Sequence, residues 1–168
     1  MVFLRCNWLP LPILYCPNLF IRKQLETINT RRIARDNKTA MRLFGNKGTT
    51  EILQPGFYGL SNAELGARWP KCIRGAQGLA QITASEFDCA DLIGLLHDSD
   101  IPADDLLPHR GRPIEMERRV APSFIVGDDY GTRASTCVML GETQLRFMEQ
   151  SYHPGGISAD LVDFAIDL

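Results

Sequence analysis

Short runs of apolar residues fill two blocks of this chain, and between them apolar residues recur at helical spacing. In the first block, residues 33–35, 39–44 and 50–53 read as three strands. The turns Asp36-Asn37-Lys38 and Gly45-Asn46-Lys47-Gly48 separate them, and strand–turn–strand at this spacing predicts an antiparallel meander. Phe57-Tyr58-Gly59-Leu60 predicts a short, largely buried strand entered from the turn Pro55-Gly56.

Proline is tolerated at the first helical position, so Pro70 predicts a helix start, with Ile73, Leu79 and Ile82 as candidate buried positions over 71–82. A second helix is predicted after Ser85 as N-cap, with Glu86 and Asp88 in its first turn. Phe87, Ala90, Ile93 and Leu96 mark its spacing, and Leu92 and Leu95 lie alongside. Residues 98–113 form a polar loop in which 104–107 make one helical turn. In the second block, 123–126 reads as a compact apolar strand. Residues 132–140 and 144–152 read as a hairpin about Gly141-Glu142. Ala134, Thr136, Val138 and Leu140 alternate with Arg133, Ser135, Cys137 and Met139, and Leu145 and Phe147 are expected to face inward. Residues 157–168 read as an acidic amphipathic helix capped by Ser158, with Leu161, Phe164, Ala165 and Leu168 on one stripe. Strands, two helices, then strands predict an α+β fold with helices packed on antiparallel sheet.

Composition narrows the partners. The 168 residues are 45% hydrophobic and 23% charged, ordinary globular values that oppose disorder throughout. A net charge of −2 gives no electrostatic case for nucleic acid or an anionic membrane. The five cysteines, Cys6, Cys16, Cys72, Cys89 and Cys137, are scattered and form no CxxC pair. Neither a zinc site nor a disulfide framework is indicated, and reduced thiols in a cytoplasmic setting are the simplest reading. The acidic loop with His109 repeats no ligand spacing, so no metal is expected. Residues 2–20 are apolar but interrupted by Pro10, Pro12 and Pro17, which suits neither a signal sequence nor a membrane span. Prolines cannot donate to a strand ladder, so residues 1–28 are expected to pack with few long-range pairings, with a short helix over 21–28.

Three segments in order carry a family resemblance. They are Pro55–Lys71 (PGFYGLSNAELGARWPK), then Ser123-Phe124-Ile125-Val126 with Tyr130–Thr136 (YGTRAST), then Ser151–Gly156 (SYHPGG). Together they resemble the NRDE family, which includes the Transport and Golgi organisation protein 2 group. The organisation expected is an unmatched leader over 1–28, a family-like C-terminal portion over 29–157 and an amphipathic tail over 158–168. The Met-Cys start and the Asn-Arg-Asp-Glu motif of the family are missing, so the chain resembles the C-terminal half to two-thirds of such a protein.

The resemblance implies part of an αββα sandwich like that of N-terminal-nucleophile hydrolases. It makes Asn62 the match for an oxyanion donor, and Arg133 a candidate for charge-assisted contact with a carboxylate or phosphate. Tyr58, Ser61, Trp69 and His153 complete the candidate ligand-binding set. The chemistry of such hydrolases needs an N-terminal cysteine whose own amino group acts as base, and position 2 is Val2. The expected function is therefore non-catalytic ligand handling or transport, with Golgi organisation, secretion, and haem or acyl-lipid handling implied by the family. Haem ligands would come from His153, His97, His109 or Cys16. The rival readings are a remnant of a cysteine amide hydrolase and a non-functional fragment. Mitochondrial or Golgi association is implied by the resemblance alone. Self-association is expected from sheet edges and the apolar surface around Val138, Leu145 and Phe147 left open by missing strands.

Overall fold

The computed structural model describes residues 2–6, 11–15, 32–36, 40–44, 50–54, 56–62, 65, 67–141 and 143–168, those up to 52 as backbone only. The short helix expected over 21–28, the turn at 45–48 and Cys16 lie outside the described residues.

Among the described residues, nine strands and three α-helices follow one another. β1 (Val2–Cys6), β2 (Leu11–Tyr15), β3 (Arg32–Asp36), β4 (Ala40–Phe44), β5 (Thr50–Leu53) and β6 (Gly56–Leu60) come first. The helices α1 (Pro70–Ile82), α2 (Cys89–Leu95) and α3 (Ile114–Val120) follow, then β7 (Ala134–Leu140), β8 (Gln144–Tyr152) and β9 (Ser158–Asp167). β3, β4 and β5 form the expected three-stranded antiparallel meander. The other six make one sheet in the order β6-β1-β2-β7-β8-β9, antiparallel at every step. The fold is α+β.

Within residues 1–28, the described segments 2–6 and 11–15 differ from expectation. β1 and β2 are central strands that join β6 to the β7–β8 hairpin. Pro12 stands beside Met139 within β2. A proline removes one donor from a ladder but leaves its carbonyl and its neighbours free to pair.

α1 packs on β6 and β1, and α2 on β7 and β8. One core cluster results, in which Leu79, Cys89, Leu92, Leu96 and Cys137 are sealed from solvent and Cys72, Ile93 and Met148 nearly so. α1 begins at Pro70 as expected, while Ile73 is exposed and Leu79 carries its buried face. α2 starts later than expected. Its cap is Asp88, whose carboxylate accepts from the Asp91 amide at 3.0 Å while Asp91 accepts from the Asp88 amide at 3.0 Å. This reciprocal box satisfies two orphan N–H groups, which Ser85 does not do.

Three further expectations give way. Residues 123–126 are buried through Ile125 but form no strand, and the Ile125 amide donates to Thr132 Oγ1 at 2.8 Å in place of a ladder partner. Leu145 and Phe147 do not face the helices; Cys137 and Met148 do. Residues 158–167 are the edge strand β9 and not a helix. Pairing with β8 satisfies the β9 backbone, Phe164 stacks on Phe147 at 5.0 Å, and Arg146 bonds Asp163 at 3.1 Å. Such cross-strand pairs outweigh a weak helical periodicity.

Candidate functional site

The register brings several motif residues to one end of the large sheet. Leu60 stands beside Val2, Val2 beside Tyr15, Tyr15 beside Thr136, and Thr136 beside Glu149. Ser61 and Asn62 therefore leave β6 at the end where Arg133 leads into β7 and His153 leaves β8. Three strand spacings separate β6 from β7, about 14 Å. Among the described residues, no hydrogen bond or ion pair joins Asn62 to Arg133 or His153. Asn62, Arg133 and His153 are exposed and Ser61 is half-buried.

Tyr58 and Trp69 are placed elsewhere. The Tyr58 hydroxyl donates to the Gln54 carbonyl at 2.8 Å, within its own strand and entry turn. Trp69 precedes α1, with the Arg110 guanidinium over its ring at 4.9 Å. With Lys71, Leu107 and Val120 it lines a shallow hollow of about 230 Å³ that is open to solvent. Most of that space is open solvent, and the enclosed part is far smaller than a small-molecule pocket.

The motif glycines have a packing explanation. A Cβ on Gly59 would lie 2.4 Å from the Cys72 carbonyl oxygen, so only glycine lets β6 approach α1 this closely. Gly156 has φ +75°, a left-handed conformation that closes the turn between β8 and β9. The second and third motifs are tied together by backbone bonds. The Thr132 amide donates to Ile125 at 2.8 Å, Tyr152 to Arg133 at 2.9 Å and Gly155 to Gly127 at 3.0 Å.

The structure adds two features that residue spacing did not mark. The His97 Nε2 and the Tyr152 hydroxyl are 2.6 Å apart, with the Phe124 ring 4.2 Å from the imidazole and 4.8 Å from the phenol. Partial burial of the ring lowers the His97 pKa. Cys89 and Cys137, far apart in sequence, meet across α2 and β7 with their sulfurs 3.3 Å apart. The signal for both lies in long-range pairing and not in local spacing.

The candidate haem ligands among the described residues are His97, His109 and His153. His97 Nε2 is engaged by Tyr152, while His109 and His153 are exposed on separate turns. Among the described residues no three His, Cys, Asp or Glu side chains cluster as metal ligands. Cys16 lies outside the described residues. None of the described helices is long and apolar enough to cross a membrane.

The antiparallel sheet with α1 and α2 packed on it, and the motif turns at its end, define an α+β protein built around paired motif segments. The chain belongs to the Transport and Golgi organisation 2 family, whose model matches residues 21–154. No curated protein matches the chain closely enough to add to this.

Proposed function

We propose that this chain is a non-catalytic ligand-handling member of its family, and that its ligand is an acyl lipid with an anionic head. The observation that carries this reading is an apolar sheet face turned away from the helices. Phe147 stands between Val138 and Phe164, and Leu145 between Leu140 and Ile166. On β9, Val162, Phe164 and Ile166 are each nearly half exposed. An acyl chain laid on this face would bury that surface. Arg133 is exposed just before β7 at the sheet end, where a carboxylate or phosphate head reaching past the strand ends would meet its planar guanidinium. Transport-related work in Golgi organisation and secretion, in a cytoplasmic setting, fits such a carrier.

The thiols support the non-catalytic half. Cys72, Cys89 and Cys137 are all buried, and burial raises the Cys72 pKa. Turnover of an amide needs a thiolate open to a bulky substrate and beside a base, and none of these three buried thiols is open in that way. The second reading, a remnant of a cysteine amide hydrolase, rests on Asn62 standing exposed at a strand end. An oxyanion donor without an attacking group accelerates nothing.

Titration with a fluorescent fatty acid tests the reading. Saturable binding is expected, weakened roughly tenfold by Arg133→Ala and by Phe164→Asp, a loss of about 1.4 kcal/mol each. Unchanged affinity in both variants overturns it. A burst of product from a chromogenic amide would favour the hydrolase reading instead.

A further inference from the structure

We propose that Cys89 and Cys137 are a reversible dithiol–disulfide pair that, when oxidised by a hydroperoxide, locks α2 onto β7. Their sulfurs are 3.3 Å apart, both side chains are fully buried, and 48 positions separate them in sequence. A disulfide requires about 2.05 Å, so one side chain must move by little more than 1 Å. The two sit on elements already in contact, Cys89 at the first position of α2 and Cys137 in the middle of β7. Cys72 lies in the same cluster on α1, and among the described side chains it forms no disulfide.

The two thiols are not equivalent. The Cys137 S–H donates to Cys89, which stabilises the Cys89 thiolate and lowers its pKa, while the same bond and burial raise that of Cys137. The two sulfurs resolve one another: whichever is oxidised first, taken here as Cys89, is attacked by its neighbour 3.3 Å away. The Cys89 thiol gives up its proton, the thiolate attacks the terminal oxygen of the hydroperoxide, the O–O bond breaks, and the departing hydroxide or alkoxide takes up that proton and leaves as water or an alcohol. Cys89 is then a sulfenic acid. The Cys137 sulfur attacks the Cys89 sulfur as its proton passes to the departing hydroxide, the S–O bond breaks, and water leaves. Two thiols have lost two electrons and the peroxide has gained them. A small uncharged oxidant suits the site, because it need only enter the core during a local opening of α2. The cross-link would close a loop containing α3 and the 123–133 segment, restricting the unfolded chain.

The test uses the full chain with Cys6→Ser, Cys16→Ser and Cys72→Ala, exposed to hydrogen peroxide well below its unfolding temperature. Peptide mapping is expected to show a Cys89–Cys137 cross-link that dithiothreitol reverses, and Tm is expected to rise by roughly 5–10 °C. Further substitution of Cys89→Ala or Cys137→Ala is expected to abolish both effects. If those variants fail to fold, mapping of the unsubstituted protein decides by itself. Oxidation of Cys89 to sulfinic acid without a cross-link overturns the proposal. So does thiol loss only on global unfolding, or a cross-linked form that melts lower. The proposal is independent of the acyl-lipid reading, since neither thiol touches that face.

Discussion

Gly59 shows what one residue decides. The motif glycine is there so that a strand and a helix backbone can touch, with a Cβ position only 2.4 Å from the Cys72 carbonyl oxygen and 2.8 Å from its Cα. Both obstacles are backbone and cannot swing aside. Gly59→Ala should cost about 2–3 kcal/mol, measured by urea unfolding, as α1 is pushed off β6. A cost below about 0.5 kcal/mol would mean that the helix can shift freely. Glu117 carries a second constraint. It is 2% exposed, and Arg110 Nε donates to both of its carboxylate oxygens at 3.0 and 3.2 Å. That bond holds its pKa below the usual 4.5. Because the folded value is depressed, the pair's contribution is complete above pH 4.5 and is lost as pH falls through the lower folded value. Arg110→Ala, which strands the buried carboxylate, should cost about 3 kcal/mol and move the acid unfolding midpoint to higher pH. An acid midpoint that stays in place would show that the carboxylate finds water or another donor.

Elements are set by caps and by neighbours. Asp88 starts α2 because its side chain and that of Asp91 each satisfy the other's amide. Asp88→Ala should therefore destabilise the protein by about 1 kcal/mol, whereas Ser85→Ala should be near neutral. Equal effects would return the helix start to Ser85. β9 is set by its neighbour instead. Its ten residues satisfy a helical stripe and a strand alternation at once, and the β8 register selects the second. Phe164→Ala removes the stacked partner of Phe147, so β9 amides should exchange faster while those of β7 hold. Uniform acceleration in β7 and β9 would show that the edge strand unfolds with the core.

At the scale of the molecule, β1 and β2 bridge two halves of one sheet. Without them, β6 and the α1 that packs on it lose their ladder to β7. A chain beginning at residue 29 should lose its cooperative melting transition and elute as associated species, since two sheet edges and the open apolar face become available together. A monomer with a sharp transition would mean that the helical layer alone holds β6 in place. Domain stability of about 5–15 kcal/mol leaves little margin for losing two central strands.

The local features were legible from residues alone. Gly141 announced the hairpin, Pro70 the start of α1, and the turn residues around 36 and 45 the limits of β3, β4 and β5. The three motif segments gave the family, which the match over 21–154 shows. Each of these signals is local: a turn residue, a missing N–H or a short ordered run states its own geometry. What required the folded chain were facts about distant partners. Whether residues 158–167 were helix or strand depended on β8, and which face of the hairpin was buried depended on where α2 lay. The leader became two central strands because open neighbours on both sides outweighed its prolines. Asn62 and Arg133 came to one end of the sheet only through the register of three strand pairs, and Cys89 met Cys137 only because a helix packed on a strand. Periodicity records which backbone forms suit a segment, and the choice among them belongs to the partner that satisfies its hydrogen bonds and covers its apolar side.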